Sequence, residues 1–236
     1  LFTYACGPSQ EEIKQREQFV KDSTEAELAR KQAVADSIAA AKEEQRIHNE
    51  KIEVGKSIKR TRLTNVLDEL KKDLSKEKQR LDDIYDFQIG RSVSTKQRQL
   101  REQRDEIREL EGFITRLEKE ISYTHLHESY DFQNTPLGTV EHLISAARTS
   151  DYSKLRNLID PYGEFEQNVI KISLIEVLSE EMKQEWNSQF LNARIMGSPK
   201  IKDNTAQIEV AVGPESDRLE TFNLIQRQNK WYILSF

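Results

Sequence analysis

The chain has 236 residues, of which 36% are hydrophobic and 33% charged, with a formal net charge of −5. Such polarity excludes a single compact globule throughout and calls for a long solvated helical part. Acids and bases interleave, so neither half carries the basic excess that nucleic-acid binding requires. No apolar run approaches the roughly 20 residues of a membrane-spanning helix, and one cysteine excludes an intrachain disulfide or a multi-cysteine zinc site.

That cysteine is Cys6, in Leu1-Phe2-Thr3-Tyr4-Ala5-Cys6-Gly7-Pro8-Ser9. The order is an apolar stub, a small residue, the cysteine and a polar tail, as at the end of a signal segment. It resembles the lipobox of bacterial lipoproteins. The resemblance implies that Ala5 precedes the cut and that the Cys6 thiol carries diacylglycerol. Thr3 and Tyr4 depart from the family's usual residues. Two or three acyl chains give stable anchoring where one is marginal. Gln10-Glu11-Glu12 resembles the acidic signal that sends some Gram-negative lipoproteins to the cell surface. The implied location is the bacterial cell envelope, at the outer membrane, with the face undetermined.

From Ser9 to Thr135 there is no proline, and helix formers dominate. Residues 11–50 hold few large apolar side chains, among them Val20, Leu28, Val34, Ile38 and Ile47. The pattern predicts a solvated helix with a weak apolar stripe, rising roughly 60 Å, with a partly disordered linker as the alternative. Gly55 and Ser57 predict a break before the next helix.

Two segments then carry coiled-coil seams: Leu63, Leu67, Leu70, Leu74, Leu81 and Ile84, and Leu100, Ile107, Leu110, Ile114, Leu117 and Ile121. Gly90 ends the first helix, and Ser94 with Gln97 forms a capping box for the second. The short connection makes the helices antiparallel neighbours, about 40 Å long. Pairing residues whose numbers add to 184 joins Leu63 with Ile121, Leu67 with Leu117, Leu70 with Ile114, Leu74 with Leu110 and Ile84 with Leu100. Two layers carry one polar member each, Leu81 with Gln103 and Glu77 with Ile107. Such residues cost stability but fix register. His125 and His127 follow the seam without a third metal ligand nearby, so no metal site is assigned.

At Asn134-Thr135-Pro136 the composition turns apolar and aromatic. Thr135 caps a helix with Pro136 at its first position. Ser150-Asp151 predicts a short second helix with Leu155, Leu158 and Ile159 inward, and residues 176–191 a third, with Leu178, Met182, Trp186 and Phe190 on one side. The period then shifts to two, predicting three or four antiparallel strands: around Ala206 to Val212, around Leu219 to Ile225 and from Trp231 to Phe236, with residues 193–201 as the candidate fourth. The fold class is α+β: a long α-helical coiled-coil hairpin followed by a small α+β domain, its helices packed on a curved antiparallel sheet. The domains are residues 1–9 (signal remnant, lipobox and linker), 10–56 (helical stalk), 57–134 (hairpin) and 135–236 (α+β domain).

The Thr135-Pro136 helix, the turn Ala147-Arg148-Thr149-Ser150-Asp151-Tyr152, the strand Thr205-Ala206-Gln207-Ile208-Glu209-Val210 and the closing Asn229-Lys230-Trp231-Tyr232-Ile233 resemble the nuclear transport factor 2-like domain. They resemble in particular its small uncharacterised version found in bacterial lipoproteins. The resemblance implies a curved sheet around helices that leaves a conical pocket, used by some members for catalysis and by others for a partner.

Catalysis in such a pocket needs an acid paired with a phenol or a neutral carboxyl donor. Tyr152, Tyr162, Asp160 and Glu164 are the nominees, and nothing in the sequence places them together. Asp160-Pro161-Tyr162-Gly163 reads as turn chemistry, and Trp186 and Trp231 as core. No catalytic residue, cofactor or metal is therefore assigned, and Cys6 is the one site residue, for lipid attachment. The expected role is a non-enzymatic envelope lipoprotein that holds a protein-interaction domain, with a protein partner in the envelope. One alternative is a tethered ligand-binding or enzymatic domain working through the pocket. Another is a soluble coiled-coil adaptor in which Cys6 is incidental.

Overall fold

A computed structural model of the chain describes residues 9–86 and 93–236. Cys6, Gly90 and the connection between the two seams lie outside the described residues. The described residues divide into two units, with the boundary between residues 50 and 51. The elements are mixed: helices precede a four-stranded antiparallel sheet, an α+β arrangement.

The longest element is α1, Gln10–Asp86. In the first unit its apolar side chains face solvent; Val20 is 59%, Leu28 66% and Ile38 51% exposed. What supports the helix there is one-turn pairing, such as Lys31 with Glu27 at 2.7 Å and Gln32 with Asp36 at 2.8 Å. Each such pair contributes a few tenths of a kcal/mol.

In the second unit the expected break at Gly55 is absent, and α1 continues through it. The reason is tertiary. A Cβ on Gly55 would lie 1.9 Å from the Pro161 carbonyl oxygen. The glycine lets another backbone approach the helix and does not end it.

The second long helix, α2, spans Val93–Ser122 and opens one residue before Ser94, so Ser94 lies inside its first turn and not at its cap. It packs antiparallel to the later part of α1. Lys71–Glu118 at 2.9 Å and Lys78–Glu111 at 2.8 Å tie the two helices, and Gln103 donates to Glu77 at 2.8 Å between seam positions. In the two ion pairs, positions rise along one helix as they fall along the other, as an antiparallel pair requires. The seam is not uniformly buried. Leu63 and Leu117 are fully covered, because they also join the core of the sheet region. Leu81, Ile84 and Leu100 are half-buried.

Thr135 caps α3, Pro136–Thr149, accepting from the Gly138 amide at 3.0 Å. No second α-helix follows. Ser150 adopts a left-handed conformation, φ 57°, that closes α3, and Leu155–Asn157 is only a 3-10 turn. Its apolar residues are nonetheless inward: Leu155, Leu158 and Ile159 are buried. A further helical run has α4, Ile170–Leu174, between 3-10 turns. The third expected helix begins later, as α5, Glu180–Phe190, where the Ser179 hydroxyl accepts from the Met182 amide.

The strands are β1 (Arg194–Lys202), β2 (Thr205–Val212), β3 (Arg218–Arg227) and β4 (Lys230–Ser235), paired in chain order. Alternation on β2 buries Ala206, Ile208, Val210 and Val212. The open side of β4 is covered by the segment after the 3-10 turn. Ile233 donates to the Leu158 carbonyl at 2.8 Å, Asp160 to that of Ile233 at 3.2 Å and Glu166 to that of Leu234 at 2.8 Å. β1 is irregular between Met196 and Lys200. Two buried polar side chains are paired with β4: Gln133, fully covered, donates to the carbonyls of Asn157 and Trp231, and Thr139 also donates to that of Trp231.

Candidate functional site

The largest cavity described, about 590 Å³, lies between the α4 run, α5, one end of the sheet and the two long helices. Its volume is that of small-molecule sites, roughly 300–1,000 Å³. Ile170, Leu174 and Leu178 come from the helical run, Phe190 and Trp186 from α5, and Phe236 from the chain beyond β4. Val66 on α1 and Phe113 on α2 complete the wall.

Local sequence explains the α5 contribution. Met182, Trp186 and Phe190 recur every fourth residue and share one helix face. Trp186 meets Tyr152 edge-on with ring centres 5.8 Å apart and lies 5.1 Å from Phe190; Phe222 stacks on Phe236 at 5.1 Å. Trp186 is half-buried, packed against the core cluster while also lining the cavity, whereas Trp231 is buried at 4% exposure.

The ionisable lining residues are Lys171, Glu185, Arg218 and Glu220. Lys171, Glu185 and Arg218 are exposed and Glu220 is half-buried. The charged side chains thus sit at the solvated rim, and the deeper wall is apolar. Asn168 also lines the cavity; its amide donates to the Phe236 carbonyl at 2.6 Å, and its buried carbonyl oxygen has no hydrogen-bond partner. The arrangement suits binding an apolar group more than moving protons.

Tyr152, Tyr162, Asp160 and Glu164 are absent from this wall. Three of them do meet elsewhere, around Arg227. Its guanidinium bonds Asp160 at 3.0 Å, also bonds Glu164, and lies 4.3 Å from the centre of the Tyr162 ring. The Asp160 carboxylate also accepts from the Glu164 amide at 3.0 Å. Asp160 is fully buried, so Arg227 supplies the charge and hydrogen bond that make its burial tolerable. Tyr152 stands apart, donating to Asn187 at 3.0 Å.

The histidines are dispersed. His125 contacts the Ser122 carbonyl at 2.7 Å, and His127 lies 3.5 Å from the Tyr232 hydroxyl. His142 stacks on Phe132 at 3.9 Å; burial, with Lys154 nearby, pulls its pKa below the usual value. Among the described residues, no group of three or more His, Cys, Asp or Glu side chains is placed to hold a metal ion.

A second cavity, about 30 Å³, sits where α1 meets the loops around Arg156 and Pro161. Lys59 borders it and donates to the Arg156 carbonyl at 3.1 Å. Burial pushes the Lys59 ammonium down to about 8, opposed by Glu120 and reinforced by Arg156. Glu120, 2% exposed, is pushed up by burial and held by Arg156 at 3.2 Å. This charged knot ties both long helices to the sheet region.

The sequence did not single out Val66 and Phe113. Both are large apolar residues off the seam positions, and that displacement was the available signal. Comparison of the chain with protein-family models, with curated proteins and with solved structures finds no match.

Proposed function

We propose that the chain is a lipid-anchored, non-catalytic binding component of the bacterial cell envelope, attached at the outer membrane through Cys6. In this reading, residues 10–56 are a stalk, the antiparallel helix pair is a coiled-coil hairpin, and residues 135–236 form a nuclear transport factor 2-like domain that engages a protein partner. The lipobox-like residues 1–9 support the anchor. None of the helices described is long and apolar enough to cross a membrane.

The observation that carries the binding role is the cavity of about 590 Å³, with its apolar wall and its charges confined to the rim. Trp186 in that wall is a built-in reporter. The test is titration of the intact protein with apolar and amphipathic probes, read by tryptophan emission. Saturable quenching or shift, lost when Leu178→Phe narrows the cavity, is the expected result. The anchor has its own test: mass spectrometry of membrane-extracted protein should find an acylated Cys6, and an unmodified thiol would refute it.

The volume of the cavity, about 590 Å³ and within the range of small-molecule sites, also favours a second reading, in which it takes a small apolar ligand. The same titration separates the two by which probe saturates.

A further inference from the structure

The large cavity is not isolated. A neighbouring trough of about 270 Å³ shares Phe113 and Met182 with it as common wall. The remaining trough residues are Glu77, Glu106, Glu109, Leu110 and Ser179. Three carboxylates and no cation line it. Glu77 is bonded to Arg80 at 2.7 Å and to Gln103 at 2.8 Å. Glu106 and Glu109, one turn apart on α2 and exposed, make no ion pair among the described residues. Lys171 and Arg218 border the cavity but not the trough.

Chemically, an apolar hole thus opens beside an acidic strip in which Glu77 is paired and Glu106 and Glu109 make no ion pair among the described residues. Met182 is 45% exposed between them, and methionine is the side chain most adaptable to a varied apolar partner. The acidic strip disfavours fatty acids and anionic headgroups, which share its sign of charge. It favours an occupant that carries cations next to an apolar anchor.

We propose that the cavity and trough together form a docking groove for a basic amphipathic peptide segment of a protein partner. One or more large apolar side chains fill the cavity, and lysine or arginine side chains lie along Glu106 and Glu109. This inference rests on the binding role proposed above and names the chemistry of what is bound.

The test uses the full chain and two synthetic amphipathic peptides of identical apolar pattern, one with lysine and one with glutamate at every polar position. Dodecanol serves as a neutral apolar probe. Binding is read by Trp186 emission and by calorimetry. The expected result is a preference of roughly tenfold or more for the lysine peptide. That preference should shrink as salt is raised and vanish in E106K/E109K, whose exposed positions leave folding intact by circular dichroism. Equal affinity for the two peptides overturns the inference while the binding role stands. So does saturation by dodecanol with neither peptide bound, which points to a small apolar ligand. No saturation by any probe overturns both.

Discussion

The Gln103 side-chain amide donates to the Glu77 carboxylate at 2.8 Å across the helix pair. The two polar residues that interrupt otherwise apolar layers therefore satisfy each other. The Gln103 bond, with Arg80 assisting, holds the Glu77 carboxyl below its usual range. A depressed carboxyl contributes stability above its unfolded pKa, and that contribution is lost as pH falls through the folded value. Replacing Gln103→Leu should move Glu77 back up, as read by NMR titration of its carboxyl. The double variant E77L/Q103L should melt higher than the parent, because both layers become apolar, and a lower melting temperature would contradict this account.

Two glycines on the long helices should respond oppositely to the same change. Gly55→Ala must displace the Pro161 backbone, and overpacking of this kind costs roughly 1–3 kcal/mol. At Gly112 the nearest atom to an added Cβ is the movable tip of Arg116, at 3.3 Å. Gly112→Ala should stabilise by up to about 1 kcal/mol of helix propensity. Equilibrium denaturation of both variants checks the contrast.

The difference between these glycines shows where sequence reasoning stops. Periodicity and capping chemistry made the last three strands, the Thr135 cap and the antiparallel pairing of the long helices legible, because each depends on neighbours in sequence or on a repeating seam. A glycine within a helical pattern looks the same whether it breaks the helix or admits a distant backbone. Ser150-Asp151 likewise looks like a helix start, although Ser150 closes the preceding helix in a left-handed turn. The cavity was illegible for a related reason. Its wall combines Val66, Phe113, Trp186 and Phe236 from four separate segments, and no local pattern announces that they converge.

Stability should rise in the alkaline range because of Lys59. Its folded pKa of about 8 lies below the ordinary value of 10.5. Between those values the unfolded chain binds the proton that the folded chain has released, so unfolding becomes less favourable as pH increases. From pH 8 to about 9.5 the gain should be about 1–2 kcal/mol. Lys59→Met should remove this gain and be the more stable form near neutrality. Chemical denaturation across that range tests it, and parallel pH profiles for parent and variant would refute it.

Removing Arg227 should be costly out of proportion to its exposure. Arg227→Leu leaves the covered Asp160 carboxylate without its cation, and breaking a buried pair from one side costs about 3–5 kcal/mol. Adding Asp160→Asn should recover part of that loss, since a neutral amide needs no counter-charge. Thermal denaturation of the single and double variants measures the coupling.

Both borders of the sheet are protected by different means. Backbone from the segment around Asp160 occupies the outer side of β4. On β1 the ladder is interrupted between Met196 and Lys200, where Pro199 lacks a donor. Neither border offers an incoming chain a continuous row of amides and carbonyls. Molecules crowded side by side on a surface would meet often, yet those collisions would find no template on which to propagate a shared sheet.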